Sequence, residues 1–353
     1  MCKWSMRFSA NRDDEDVCIE GNRNSSHLNW QAATSNRDMS KTWKAADIPS
    51  LSGKRVLITG ANSGIGFHTA LKLARKGAQV TLACRDRRRG EDALARMDAD
   101  SPSAHTELVI FDLASLASVR EFAEKELAQR RPLDILINNA GVMAPPKRLE
   151  TADGFELQFG TNVLGHFALT AMLMPALDLA AKESSDRPRV VTIASIAHKR
   201  GQLNFDDLQS TKSYGPMRAY QQSKLADLMF AFELNRRLRA ADSRVMSVAA
   251  HPGVADTNLF QVGDQSRIKK TARNLVGHVI GIVLNTDAEG ALPTLYAATA
   301  PSVEDGGYYG PQGFQEMRGD DVESAKIASQ ALDVSAAARL WEICEKLTGV
   351  NFL

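Results

Sequence analysis

From Lys54 onward, short runs of β-branched and aliphatic residues alternate with longer segments whose apolar positions recur every three to four residues. The short runs read as strands covered on both faces and the longer segments as amphipathic helices. Strands are predicted at Arg55–Thr59, Val80–Ala83, Leu108–Phe111, Ile135–Asn138, Val190–Ala194 and Val245–Ala250. Helices are predicted near Ile65–Lys76, Arg87–Met97, Leu116–Gln129, Gly154–Leu179, Met217–Arg239 and Asp287–Ala300, with a last short strand at Gly307–Tyr309. Such alternation indicates βαβ units. The expected fold class is α/β: a single doubly wound domain with a six- or seven-stranded parallel sheet and helices on both faces.

Two segments break the alternation, Gly201–Pro216 and Asn258–Asn285. Both follow strands and are expected above the carboxyl ends of the sheet, where open α/β sheets bind ligands, so they are natural substrate walls. The opening stretch, Met1–Asn36, carries Lys3, Arg7, Arg12 and the run Asp13–Asp16 without an apolar core, which excludes a secretory signal and suggests disorder. Residues 1–43 are therefore expected to be an extension, and 44–353 the folded domain. The apolar stretch Leu275–Leu284 is broken by Gly277, His278 and Gly281 and falls short of the roughly 20 residues of a spanning helix, so no membrane insertion is expected.

Composition narrows the function by exclusion. Forty-three basic and 42 acidic residues leave a net charge of +1, which provides no global field for a nucleic-acid partner. Cys2, Cys18, Cys84 and Cys344 are far apart and form no C-x-x-C pair, which fits a reducing cytoplasm and argues against a disulfide framework or zinc ribbon. The spacings of His166, His198 and His251 match no ligand pattern, and no metal is expected.

Directly after the first strand comes Thr59-Gly60-Ala61-Asn62-Ser63-Gly64-Ile65-Gly66. Three glycines on a turn that opens a helix let the backbone approach a pyrophosphate, whose charge the helix N-terminus attracts. In this strand, turn and helix context the signal is that of a Rossmann-type dinucleotide site. NAD-preferring sites place a carboxylate at the end of the second strand, but here Ala83-Cys84-Arg85 stands there. A guanidinium at Arg85 can pair with a 2′-phosphate, so NADP(H) is the preferred cofactor and NAD(H) the second choice. Arg87, Arg88 and Arg89 read as a solvated helix start. Asp112, with Leu113 behind it, either accepts from the adenine amino group or caps the following helix. Asn138-Asn139-Ala140-Gly141 lets the cofactor pass close to the chain, although alone it is an ordinary turn.

In Tyr220-Gln221-Gln222-Ser223-Lys224, helical spacing puts Tyr220 and Lys224 one turn apart on one face. An unperturbed phenol titrates near pKa ~10, and an ammonium about 4 Å away favours the phenolate by roughly 4 kcal/mol at an effective dielectric of ~20. The pair thus suits general acid/base work near neutrality. Ser195 closes the fifth strand, placed to bond a substrate oxygen or to cap a helix. Asn162, inside a long apolar helical pattern, is either a satisfied core amide or the holder of a water behind Lys224.

T-G-x-x-x-G-I-G, N-N-A-G, N-x-x-G-H-F, Ser195, Y-x-x-x-K and His251-Pro252-Gly253-Val254-Ala255-Asp256-Thr257 together resemble the short-chain dehydrogenase/reductase family, over about Lys44 to Phe352. Ala83-Cys84-Arg85-Asp86, Ser195-Ile196-Ala197-His198, Tyr308-Tyr309-Gly310-Pro311 and the ending Leu340-Trp341-Glu342 through Gly349 look most like its retinol-dehydrogenase-like group. The resemblance implies that Asn162 organises a water, Ser195 orients the carbonyl, Tyr220 transfers the proton, and Lys224 lowers the phenol pKa and binds the nicotinamide ribose. It implies cofactor contacts along Gly60, Asn62, Ser63, Gly64, Ile65, Gly66, Arg85, Asp112, Leu113, Asn139, Ala140 and Gly141. It further implies that Pro252, Gly253, Val254 and Thr257 line the nicotinamide end, and that the helices around Asn162 and Tyr220 form a homo-oligomer interface. Met39–Trp43 looks like a typical family start, with the residues before it an extension.

Some features depart from that pattern. Ala194 stands where relatives often carry a second serine, Pro293 interrupts a predicted helix, and the apolar anchor of animal retinol dehydrogenases is not found, which puts membrane attachment and a retinoid substrate in doubt. The expected substrate is a lipophilic small-molecule alcohol, aldehyde or ketone, suggested by Phe260 and Leu275–Leu284. A catalytically silent nucleotide sensor would characteristically lack Tyr220 or Lys224, and a methyltransferase would carry an acid at Cys84. Ile268–Leu284 offers a basic amphipathic segment for a membrane surface, but a pocket cover is the favoured reading.

Overall fold

The computed structural model describes residues 43–254 and 285–353; the N-terminal extension, Thr257 and nearly all of the second wall segment lie outside the described residues. Strands β1 (Arg55–Thr59), β2 (Gln79–Cys84), β3 (Thr106–Ile110), β4 (Ile135–Asn138), β5 (Arg189–Ile193), β6 (Met246–Ala250), β7 (Tyr308–Pro311) and β8 (Val322–Ser324) form one sheet. Their order is β3-β2-β1-β4-β5-β6-β7-β8. The first seven run parallel, and β8 pairs antiparallel with β7. Every residue of β1 is buried because alternate side chains enter different cores: Leu57 one, Val56 and Ile58 the other.

Around the sheet lie α1 (Gly64–Arg75), α2 (Arg87–Asp100), α3 (Leu116–Ala128), α4 (Gly165–Glu183), α5 (Pro216–Ala240), α6 (Asp287–Gly290), α7 (Leu292–Thr299) and α8 (Val334–Thr348). Helices α3, α4, α5 and α8 fill the core on one face, and α1, α2 and α7 fill the other. The chain passes from the β2–β3 side of β1 to the β4 side, which creates the topological switch point where a cleft opens at the strands' carboxyl ends.

Four features differ from the expected pattern. The helix expected near Gly154 starts later, with a π-helical turn at Phe159–Leu164 that runs into α4. The helix expected over Asp287–Ala300 is two: α6, closed by a Thr286/Glu289 capping box, and α7, which takes Pro293 in its first turn, where the missing N–H has no intrahelical partner to lose. The eighth strand and α8 were not expected. Finally, Phe159–Glu183 is by length and composition apolar enough to cross a membrane, with a mean hydropathy of 1.5 over an 18-residue window, yet 78% of that window is buried within the protein. It is a core helix.

Helix α8 is held by Trp341, 1% exposed, whose ring packs on Phe167, Phe230 and Phe352 and lies beneath the Arg237 guanidinium at 4.5 Å. Trp341→Ala opens a cavity between α4, α5 and α8, so a loss of about 3–5 kcal/mol is expected in urea unfolding.

Candidate active site

The first turn of the cleft is built by close approach. Gly60, at φ +68°, lies so near the β4 turn that a Cβ would sit 2.9 Å from Ala140 Cα, and a Cβ on Gly66 would sit 2.5 Å from Asn139 Nδ2 and from Gly60 O. Ser63 occupies the N-cap of α1 in extended conformation but makes no capping hydrogen bond, which leaves that helix end available to an anion. Arg96 braces the turn from outside, donating to Asn62 O at 2.9 Å with its guanidinium over Phe67. Ile65 is buried beneath. A turn that only glycine can line, beside an uncapped helix start, fits a dinucleotide's diphosphate.

Three predicted motifs meet at Thr59. Its Oγ1 accepts from Asn139 N at 2.9 Å and Ala140 N at 3.0 Å, and Asn139 Nδ2 donates to Thr59 O at 2.7 Å. His166 Nδ1 lies 2.8 Å from Asn162 O. A carbonyl only accepts, so Nδ1 carries the proton and Nε2 accepts from the Thr59 hydroxyl at 2.9 Å. Burial holds this imidazole far below its ordinary range, to about 3, so it stays neutral. Its role is structural, as expected for a core histidine.

At the adenosine end, Cys84 closes β2 with its thiol beside the backbone amides of Ala61 and Asn62, and burial pushes the thiol up to about 11. A neutral thiol thus stands where a ribose-binding carboxylate would. Arg85 is exposed and makes no hydrogen bond or ion pair among the described residues, while Arg87–Arg89 are exposed in the first turn of α2. Asp112 does not cap α3; Ser115 does, and Asp112 Oδ1 accepts from Ala114 N at 2.9 Å. Leu113 is buried, its carbonyl against Gly165.

Ser195 lies just past β5, half-buried, and its Oγ caps the short 3-10 turn Ile196–Arg200 by accepting from Ala197 N at 3.2 Å. Accepting leaves the hydroxyl proton for another partner. Tyr220 stands in the second turn of α5, 7% exposed, its field felt by Lys224 and by Tyr308. Asn162 is a clamp as well as a core amide: Oδ1 accepts from Val142 N at 2.8 Å, and Nδ2 donates to Val142 O and Ser223 Oγ. A Cβ on Gly141 would lie 3.5 Å from Asn162 Oδ1 and 3.8 Å from Lys224 Nζ, so both groups line one niche.

Lys224 is not turned on the phenol alone. Its Nζ donates to Ile193 O at 2.8 Å and to Asp227 Oδ2 at 2.9 Å, with both side chains buried. Burial works against the ammonium, but the Asp227 carboxylate and the Tyr220 phenol outweigh it and hold Lys224 above the ordinary lysine value. The ammonium's charge is therefore shared between the phenol and a carboxylate. Sequence reading missed Asp227, although its i+3 spacing within the apolar run Leu225–Met229 was a signal.

Pro252, Gly253 and Val254 follow β6, and the chain from β7 to β8 holds them. Val254 N donates to Met317 O at 2.8 Å, Asn285 N to Val254 O at 2.9 Å, and Asn285 Nδ2 to Pro252 O at 3.0 Å. Beneath them His251 accepts from Gly253 N, and Glu316, buried, pairs with Lys199. None of these holders was expected. The first wall, Gly201–Pro216, is largely irregular and is tied down where Tyr214 donates to Pro145 O at 2.8 Å. A separate cleft of about 330 Å³, lined by Glu107, Phe122 and Arg131 among others, lies at the β3 edge away from all of these residues.

Residues 54–267 match the short chain dehydrogenase family. The chain is similar to retinol dehydrogenase 14 of Mus musculus, 41% identical over 310 residues that cover 84% of this chain and 86% of that protein. It is also similar to polyprenol dehydrogenase of Mus musculus, 41% identical over 305 residues covering 86% of each. Among solved structures, an uncharacterized protein from Mycobacterium Paratuberculosis superposes with a TM-score of 0.70 at 40% identity, covering 89% of this chain and all of that one (100%). The chain belongs to the short-chain dehydrogenase family, among its retinol-dehydrogenase-like members, and is an oxidoreductase that acts on CH–OH groups with a nicotinamide cofactor.

Proposed function

We propose that this enzyme interconverts a lipophilic alcohol and its carbonyl, with NADP(H) preferred over NAD(H) and Tyr220 as the general acid/base. The observation that carries the reading is the convergence of the glycine turn, Ser195, Tyr220 and Lys224 at the carboxyl ends of β1, β4 and β5, with Lys224 bonded to the last residue of β5. When bound, the nicotinamide exchanges a hydride with the substrate carbon. Ser195 donates its free hydroxyl proton to the substrate oxygen. Tyr220 takes the proton from the alcohol or returns it to the carbonyl oxygen, and the Lys224 ammonium favours the phenolate. Asn162 keeps the segment after Gly141 and Ser223 of α5 in register.

The neutral Cys84, and Arg85 with no hydrogen bond or ion pair among the described residues, support NADP(H), since the 2′-phosphate would meet a cation and no carboxylate at the last position of β2. The names of the similar retinol and polyprenol dehydrogenases support a lipophilic substrate. The buried free thiols Cys84 and Cys344 support a reducing cytoplasm, the burial of the apolar helix supports the absence of stable membrane insertion, and the family resemblance supports a homo-oligomer through α4 and α5. A silent nucleotide sensor would have no use for Tyr220 and Lys224 beside Ser195.

Turnover is read from nicotinamide absorbance over a panel of lipophilic alcohols, aldehydes and ketones. Tyr220→Phe should lower kcat by about 10²–10⁴-fold with cofactor binding retained, and an unchanged kcat would remove Tyr220 from the chemistry. Arg85→Asp should move the ratio of kcat/KM for NADP(H) over NAD(H) toward NAD(H) by at least about tenfold, the equivalent of one charge-assisted contact. A ratio equal to wild type would take Arg85 out of the cofactor site.

A further inference from the structure

Tyr220, Lys224 and Asp227 occupy positions i, i+4 and i+7 of α5, one stripe on one face of the helix. Asp227 is 3% exposed and Lys224 5%, and Lys224 Nζ donates to Asp227 Oδ2 at 2.9 Å. A carboxylate this deeply buried is costly unless its charge is used, and a buried ammonium without it would readily lose its proton. We propose that Asp227 is a positioning residue of the reaction: its carboxylate seats the Lys224 ammonium against Ile193 O, balances its charge, and so decides how strongly that charge acts on the Tyr220 phenol. The inference rests on the reading of Tyr220 as acid/base.

The surroundings fit such a role. Burial pushes the Asp227 carboxyl up to about 6, with the Lys224 ammonium opposing, so the pair is ionised at neutral pH. Other titratable groups face the three from three elements, one being Tyr308 of β7, whose phenol burial pushes up and which feels Tyr220. Cys344 of α8 has its thiol pushed up by burial and then by Asp227, and His166 of α4 faces Lys224 but is held neutral. β6 and the π-helical turn carry no ionisable side chain, while Lys199 and His198 of the 3-10 turn feel Glu316 instead. Asp227 is therefore the anionic partner of the Tyr220/Lys224 pair among the described residues. Removing a buried negative charge lowers the proton affinity of the groups facing it, whichever of phenol and ammonium releases its proton first.

The test compares Asp227→Asn, which keeps the shape and an acceptor, and Asp227→Glu, which keeps the charge, with wild type and Tyr220→Phe. In Asp227→Asn the acid limb of the kcat/KM profile for alcohol oxidation should move to lower pH by roughly one unit, and in Asp227→Glu it should stay near wild type. In the cofactor-free protein, near-ultraviolet titration of the phenolate, taken as the difference from each variant's Tyr220→Phe counterpart, should move the same way. Where the amide variant does not fold by circular dichroism, Asp227→Ser supplies the neutral side chain. A limb and a phenolate titration that both coincide with wild type, in a folded neutral variant and with Tyr220→Phe inactive, would overturn the proposal. Activity retained by Tyr220→Phe would instead remove the acid/base reading, and the cofactor-free titration would still decide whether Asp227 acts on the phenol.

Discussion

The Thr59 hydroxyl sits where the chain leaves β1, 1% exposed, and there serves two backbone N–H groups of the β4 turn while donating to His166. Both donors lie in a partly buried turn, so a lost partner would cost on the order of 1 kcal/mol. The glycine turn, the Asn139–Gly141 turn and the π-helical turn carrying Asn162 are therefore tied to one another through this residue. Asn162 carries the chain of contacts on to Ser223, and so to the helix of Tyr220 and Lys224. Hydrogen bonds thus run without interruption from the glycine turn to the helix that carries Tyr220 and Lys224.

Charge at the site is handled by burial in pairs. The phenol, the ammonium and the Asp227 carboxylate share one helix face, while His166 and His251, each held near a pKa of about 3 by burial, contribute shape without charge. Glu316, buried, and Lys199, partly exposed, form a second pair near the stem that follows β6. The two pairs lie on different elements, so each can be altered without stripping the other of its partner.

Much of this was legible in the residues, for a physical reason. Strands β1 to β7 are covered on one or both faces and show as apolar runs, and glycines forced by close approach announce the turn that needs them. Val322-Glu323-Ser324 carries a single buried residue, too little pattern to mark an edge strand. Asp227 looked like any helical carboxylate, because its meaning depends on which face of α5 is buried. The Thr59–His166 bond joins residues 107 apart, a pairing that no local spacing encodes. Asn162 illustrates the middle case, since a core amide was one of two readings of its place in an apolar helix and its partners were visible only once the β4 turn and α5 came together.

The stems at Val254 and Asn285 stand side by side. A backbone hydrogen bond from Asn285 N to Val254 O joins them to each other, and Met317 O accepts from Val254 N. The sheet thus presents a fixed socket whose two ends are adjacent, and a stretch inserted there can change in length and character without disturbing the strands. A protein engineer building chimaeras could exchange whatever joins those two ends and leave the hydrogen bonds of the sheet intact.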